Sequence, residues 1–224
     1  MAQLHTRRDS QNPYIERVWH SINQTDGIYI STPDGSWDVI VMIDTDGSRR
    51  VMLAGQASEP MRVPYRAGTE GIVISFVPSA YLPHMPAKEM LNYAEFLPSE
   101  GPDHFVLAGR VFPIPTYESA EQLVELMVAA GVVRLDDVVG AALDPKSYAG
   151  DRTAQRHFKQ TTGLTRSFLG QIRRAQEAVK QLQSGKKPAD VAADLGYTDQ
   201  AHLYKSIRRI MNTRPTDVDH INKV

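Results

Sequence analysis

The sequence predicts an α+β chain in two parts, a β-rich first half followed by an all-helical second half. Three observations predict it: short alternating apolar runs up to about residue 116, a change to helical spacing from Glu118, and an uneven division of charge. Residues 151–224 carry 14 Lys and Arg against 7 Asp and Glu, whereas residues 1–150 carry 11 against 19. The tail is therefore at +7 and the body at −8, although the whole chain sums to −1. A basic end on an acidic body predicts a polyanion-binding module joined to a part with another task.

Composition narrows the classes further. The chain has 224 residues, enough for one large domain or two modest ones, each with its own core. There is no cysteine, which excludes disulfides, thiolate catalysis and Cys-ligated zinc. No apolar run approaches the roughly 20 residues of a membrane span. The opening "MAQLHTRRDSQNPY" has arginines but no apolar stretch behind them, so it does not read as a secretory signal. A cytoplasmic protein without a membrane partner is expected.

In the first part, "SWDVIVMIDTDGSRRVMLAG" alternates Val39, Val41 and Ile43, turns at Asp46-Gly47 and resumes with Val51 and Leu53, which predicts a hairpin. "EGIVISFVP" is a further strand stopped by Pro78. Dense Gly and Pro punctuation between short strands predicts a small barrel or sandwich. "PAKEMLNYAEFL", residues 86–97, predicts one short helix with Pro86 in its first turn. The proline-rich "FPIPTY" places the division near residue 116, giving parts 1–116 and 117–224. Just beyond it, "ESAEQLVELMVAAG" predicts a helix with Ser119 as N-cap and Gln122 three residues on. Leu123, Leu126, Met127 and Ala130 lie on one face, and Gly131 stops the helix.

The basic part contains an internal repeat. A shift of 49 places Ala154, Phe158 and Gly163 on Leu203, Ile207 and Asn212, and Arg156, Lys159 and Gln160 on Lys205, Arg208 and Arg209. Apolar positions four apart share one helix face, and Gly or Asn tolerates the left-handed geometry that ends a helix. Each copy follows another short helix, "LDDVVGAAL" at 135–143 or "PADVAADLGY" from Pro188, with Val138 aligned on Val191 at an offset of 53. The first copy thus carries about four extra residues in its turn, around 146–150. A helix, a turn and a second helix with an outward basic stripe is the helix-turn-helix pattern. Its first unit spans about 135–163 and its second about 187–212. Between them, Phe168, Ile172, Ala175, Val179 and Leu182 step by four and three along a linker helix at about 165–184. Twenty helical residues span roughly 30 Å, close to the ~34 Å between successive major grooves on one face of B-DNA.

Helical geometry then selects the reading residues. With Leu203, Ile207 and Ile210 facing the core, Ala201, Lys205 and Arg208 point outward, flanked by Thr198, His202 and Arg209. N-terminal residues of a recognition helix meet base edges, so Gln200, Ala201, His202 and Lys205 are the expected readers. Arg208 and Arg209, farther along, are expected on phosphates. The first helix, about 151–161, presents Arg152, Arg156 and Lys159, with Thr153 and Gln155 alongside. Arg152 is early and planar, suited to a bidentate guanine contact. The second helix spans about 199–210.

The stretch from "DRTAQRHFKQTTG" through "ADLGYTDQAHLYKSIRRIMNTRP" resembles the DNA-binding domain of the AraC/XylS-type bacterial transcription regulators, over roughly residues 132–219. The resemblance implies two helix-turn-helix units on adjacent major-groove segments of a double-stranded operator, a role for Arg152–Lys159 and Gln200–Lys205 in recognition, and RNA polymerase as partner if the protein activates. Three positions depart from the family pattern: Ile207 stands where an aromatic is usual, Asn212 where glycine is usual, and Arg166 where proline is usual. "TPDGSWDVIV" and "GIVISFVPSAYLPHMPAKEML" are similar to the β-rich, cupin-like sensor domain that precedes this domain in relatives. That similarity implies a small-molecule effector pocket, with Trp19, Trp37, Tyr65, Phe76 and Tyr81 as candidate lining, and a homodimer.

Two other classes compete. A cupin-type enzyme would need clustered His and Glu, yet His5, His20, His84, His104, His157, His202 and His220 are scattered, and His84 with Glu89 lacks a His-x-His companion. No catalytic triad pattern or phosphate-cradling loop is present, so no cofactor, metal or enzymatic activity is expected. The remaining alternative is an effector-independent DNA binder whose β-rich part only dimerises, with the same aromatics filling a core.

Overall fold

The computed structural model describes residues 3–143 and 152–212. Its first part is built from β1 (Gln3–Arg8), β2 (Ile15–Asn23), β3 (Gly27–Ser31), β4 (Asp38–Ile43), β5 (Arg49–Ala54), β6 (Met61–Tyr65), β7 (Glu70–Phe76) and β8 (Ala80–Tyr81). A single turn, α1 (Ala87–Met90), leads to β9 (Ala94–Phe96), β10 (His104–Leu107), β11 (Arg110–Pro113), α2 (Ala120–Ala129) and β12 (Arg134–Leu135). The second part consists of α3 (Asp137–Ala142), α4 (Arg152–Thr162), α5 (Arg166–Gln183), α6 (Pro188–Asp194) and α7 (Gln200–Met211). Among the described residues, no helix is long and apolar enough to cross a membrane.

The predicted β-rich half with a helical half behind it is the observed architecture, but the strands do not close into a barrel. Six form an open antiparallel sheet in the order β1-β2-β7-β4-β5-β9, and three two-stranded ribbons, β3–β6, β8–β12 and β10–β11, lie apart from it. Closure fails because the sheet ends in a three-residue strand at one side, while β3 and β6 pair with each other rather than with either edge. The hairpin expected at Asp46-Gly47 is present, with Val41 opposite Val51 and Val39 opposite Leu53.

One face of this sheet carries the core. Val39, Val41, Val51, Leu53, Ile74 and Phe76 are at most 2% exposed on it. Trp37, just before β4, stacks on Phe76 at 3.7 Å, and its indole N–H donates to the Ala80 carbonyl at 2.8 Å. The ring thereby fills the core without leaving a buried donor unpaired.

Two local expectations give way to tertiary pairing. The helix expected over 86–97 stops after one turn, because Leu91 is extended and Asn92 takes a positive φ of 58°. The chain then runs beside β5, with Phe96 opposite Met52, so a sheet edge replaces the rest of the helix. Likewise, α2 follows the expected division at 116 yet buries Ala120, Leu123, Val124 and Met127 in the core of the β-rich part. That core continues through Val132 and Val133, and the first core of helices alone begins at Val139. Ser119 precedes α2 without capping it, its hydroxyl accepting instead from the Thr116 amide.

The helical part has two small cores. Val139, Ala142, Ala154, Phe158 and Leu169 form one. Leu164, Ile172, Ala175, Ala178, Val179, Val191, Ala192, Tyr197, Leu203, Ile207, Ile210 and Met211 form the other. Helix α5 supplies side chains to both. It also meets the β-rich part, since Gln176 donates to the Pro33 carbonyl at 3.3 Å. Nearby, Leu169 occupies the space a side chain at Gly35 would need: a Cβ there would lie 2.1 Å from Leu169 Cδ1, and Gly35 has a φ of +82°.

Trp37→Ala is expected to cost about 3–5 kcal/mol, read as a lower urea midpoint at unchanged slope. A loss below about 1 kcal/mol would contradict a packed Trp37–Phe76 pair.

Candidate nucleic-acid interface

Helices α4 and α7 are built on the same burial plan. Ala154, Phe158, Thr161 and Thr162 are buried in α4, and Leu203, Ile207, Ile210 and Met211 are buried in α7. Every pair is separated by 49 residues, so the repeat read from three positions extends to the whole inner face. The ends match too: Gly163 has a φ of +69° and Asn212 a φ of +50°, both left-handed stops. Two threonines sit in a core position on α4 because their hydroxyls are satisfied. Thr162 donates to the Phe158 carbonyl at 2.7 Å and Thr161 to an Asp136 oxygen at 2.7 Å.

With the inner faces fixed, the outer faces follow. Arg152, Thr153, Gln155, Arg156 and Lys159 on α4 are all exposed, as are Thr198, Gln200, Ala201, His202, Lys205, Arg208 and Arg209 on or beside α7. On α7, Asp199 caps the helix by accepting the His202 amide at 2.7 Å. Thr198 Oγ1 lies 2.9 Å from His202 Nδ1, and the His202 ring meets the Tyr197 edge at 5.3 Å. These contacts fix the first turn of α7. Arg209 lies 5.8 Å from the Phe168 ring of α5, so it is tied to the linker more than Lys205 or Arg208 are. Arg174 of α5 stacks over Tyr197 at 4.5 Å and pins the turn ahead of α7 to the same helix.

The preceding helices align less closely than the sequence implies. Val139, not Val138, is the buried counterpart of Val191; Val138 is 36% exposed. A helix with one inward face turns its neighbour outward by 100°, so the correct offset is 52, and the first unit carries three extra residues rather than four. The extended turn at 146–150, and Asp151 with it, lie outside the described residues.

One functional side chain escaped the sequence reading. Asp136 caps α3 by accepting the Val138 and Val139 amides at 3.0 and 3.1 Å. Its other oxygen lies 2.9 Å from His157 Nδ1 and receives Thr161. A single carboxylate thereby binds the first helix of the unit to its second. Burial alone would raise its pKa, but hydrogen bonds from His157, Thr161 and the Val139 amide outweigh burial and hold it below the ordinary aspartate value. The signal was present, an Asp directly before the apolar run of "DVV".

The five aromatics proposed for a pocket do not converge. Trp37 and Phe76 are core. Trp19 lies on the opposite face of the sheet beside Tyr29 at 5.9 Å, Tyr65 is in β6, and Tyr81 of β8 pairs with Arg134. An open cleft of about 540 Å³ is lined by Arg8, Asn12, Pro13, Glu121 and Glu125 among others, and by none of these aromatics.

Against known proteins, residues 147–220 match the family model described as "Helix-turn-helix domain". No curated protein matches the chain. Among solved structures, the chain is similar to an apo ToxT variant from Vibrio cholerae strain SCE256, at 9% identity over 99% of this chain and 98% of that one, with a TM-score of 0.43. It is also similar to ToxT from Vibrio cholerae in its P21 form, at 11% identity, 99% and 98% coverage and a TM-score of 0.39. A third is ToxT from Vibrio cholerae O395 bound to (E)-4-(8-methylnaphthalen-1-yl)but-3-enoic acid, at 11% identity, 98% coverage of each chain and a TM-score of 0.37. Overlaps this loose fix neither the arrangement nor a ligand of the present chain.

Asp136→Ala is expected to destabilise the protein by about 1–2 kcal/mol through the lost cap, with the largest loss of amide protection in α3 and α4. Because the folded pKa is depressed, the carboxylate's contribution is complete above the unfolded value of about 3.9 and is lost as pH falls through the lower folded value. The stability gap between wild type and Asp136→Asn should therefore narrow on acidification below about pH 4; a gap that stays constant from pH 7 to pH 3 would count against the network.

Proposed function

We propose that the C-terminal region, whose residues 147–220 match the helix-turn-helix family model, is the DNA-binding domain of an AraC-type, sequence-specific regulator that inserts α4 and α7 into successive major grooves. The observation that carries this reading is the common inner face of the two helices. Four buried positions coincide at one offset, which leaves two equivalent basic faces outward. Arg152 and Lys205 occupy the base-reading positions, with Thr153, Gln155, Gln200, Ala201 and His202 beside them. Arg208 and Arg209 hold phosphates, and Arg156 and Lys159 extend the outward face of α4. Such a protein is not an enzyme and works in the cytoplasm.

Control by a small molecule in the β-rich part is the second element of the proposal. Its support is direct contact: the Pro33–Gly35 turn of that part lies against α5, the helix between the two reading heads. A change at the turn thus has a packed route to both heads. The functional division falls after Leu135 on this reading, because α2 shares the β-rich core. A homodimer, and RNA polymerase as partner for an activator, complete the proposal.

Selection of bound fragments from a random DNA pool should return two half-motifs about 10 base pairs apart; a single half-motif would remove α4 from the reading. Arg152→Ala and Lys205→Ala should each weaken the selected site by about 1–3 kcal/mol and leave random DNA nearly unaffected. Log-affinity should fall with log-salt at about −0.9 per neutralised phosphate, and a salt-independent affinity would overturn the proposal.

A further inference from the structure

The sheet face turned away from the core carries a cluster of polar groups that the fold satisfies only in part. Pairing registers place Arg17, Ser75 and Asp38 side by side across β2, β7 and β4, with Ala54 of β5 next to Asp38. Arg17 is engaged by Asp34, the two side chains being 16% and 17% exposed. Asp38 keeps a hydrogen bond with Ser75, yet its Oδ1 is fully shielded and has no partner. Burial first, and then the Asp34 charge, push the Asp38 carboxyl above its ordinary range, while Ser75 and Arg17 pull it down. Two residues beyond Ala54 stands Gln56, only 1% exposed, with its Oε1 also unpartnered. Gly55 between them turns toward Met90 of the core, where a Cβ would lie 2.0 Å from the Met90 carbonyl oxygen, so alternation along the chain puts Gln56 on the same side as Asp38 and at the same end of the sheet.

The adjoining register row is apolar: Trp19, Val73, Ile40 and Met52 lie side by side. Trp19, Ile40 and Met52 remain part-exposed, whereas Val39, Val41 and Val51 on the core face are at 0–1%. Tyr29 of β3 lies beside Trp19 and also interacts with Arg17, Asp34 and Asp38. Two shielded acceptors therefore border an incompletely covered apolar strip. The cluster has two carboxyl groups against one guanidinium, so its deficit is of positive charge and of hydrogen-bond donors.

We propose that this face binds a small primary amine with an apolar body, its ammonium donating to Asp38 and Gln56 and its body lying along Trp19, Ile40 and Met52. An ammonium has three donors and no acceptor, which suits two orphaned oxygens. A neutral alcohol supplies one donor and no charge, and a carboxylate is repelled. The inference rests on the reading of the β-rich part as a sensor. Asp34, which shares Arg17 with this site, belongs to the turn that touches α5 through Pro33 and Gly35, so a ligand on Asp38 is linked to α5 through Arg17, Asp34 and that turn.

The test uses the full chain and three probes of matched shape: phenethylamine, phenethyl alcohol and hydrocinnamate, with hexylamine as a second amine. Thermal shift and titration calorimetry should show saturable binding of the amines, with the alcohol and the carboxylate weaker by about tenfold or more. Asp38→Asn preserves the shape and the Ser75 neighbour, and should lower amine affinity about tenfold or more. Gln56→Met should lower it about fivefold, and serves as the independent variant if Asp38→Asn does not fold. Absence of amine binding to wild type, or equal binding of all three probes, overturns the site. So does full amine affinity in either variant. Operator affinity is measured separately on the same samples. Lost amine binding with intact operator binding removes this site alone, whereas amine binding without any effect on operator affinity removes the sensor reading and leaves the site standing.

Discussion

Everything in the helical half depends on α5 being buried on two sides at once. Its first turn places Leu169, 1% exposed, in one core, and Ile172, Ala175, Ala178 and Val179, at 0–3%, form the wall of the other. The first core holds only five buried residues, one of them supplied by α5. Both cores take side chains from one helix of 18 residues, whose rise sets the spacing between them. The cation–ring contacts of Arg174 with Tyr197 and of Arg209 with Phe168 add orientation to that spacing.

The two heads achieve the same outward face by different internal means. In the second, four apolar side chains do the packing and Asp199 caps only its own helix. In the first, two of the four inner positions are threonines, and the polar cost of burying one of them is offset by Asp136. That carboxylate holds α3 to α4 where the second unit relies on Leu203 and Val191 in a shared core. The first unit therefore joins its two helices through a titratable carboxylate, while in the second the Asp199 carboxylate caps only its own helix.

The repeat was legible because volume and spacing are written directly into a helical sequence. Ala154, Phe158 and Gly163 against Leu203, Ile207 and Asn212 already fix the phase of both helices. Thr161 and Thr162 were not legible as inner residues, because a threonine on a helix reads as surface until its hydroxyl partner is known. Val138 and Val139 are chemically alike, and only the three-dimensional cap by Asp136 decides which one turns inward. In the β-rich half, strands with strict alternation such as β4 and β5 were legible, whereas β9 exists only because β5 offers an edge. The aromatic set failed for a related reason: Trp19 and Trp37 have similar composition around them, but one residue of strand parity separates the core face from the other.

Gly35 carries a consequence for how such a protein can be recombined. Its backbone is in a conformation that side chains resist, and the vacancy beside it is filled by Leu169 from the other half of the chain. The two halves are thus keyed to each other like a notch and a tooth. A chimera that grafts α3–α7 onto a foreign β-rich part would bring the tooth without the notch, and a side chain at the matching position would have to displace the Leu169 methyl group.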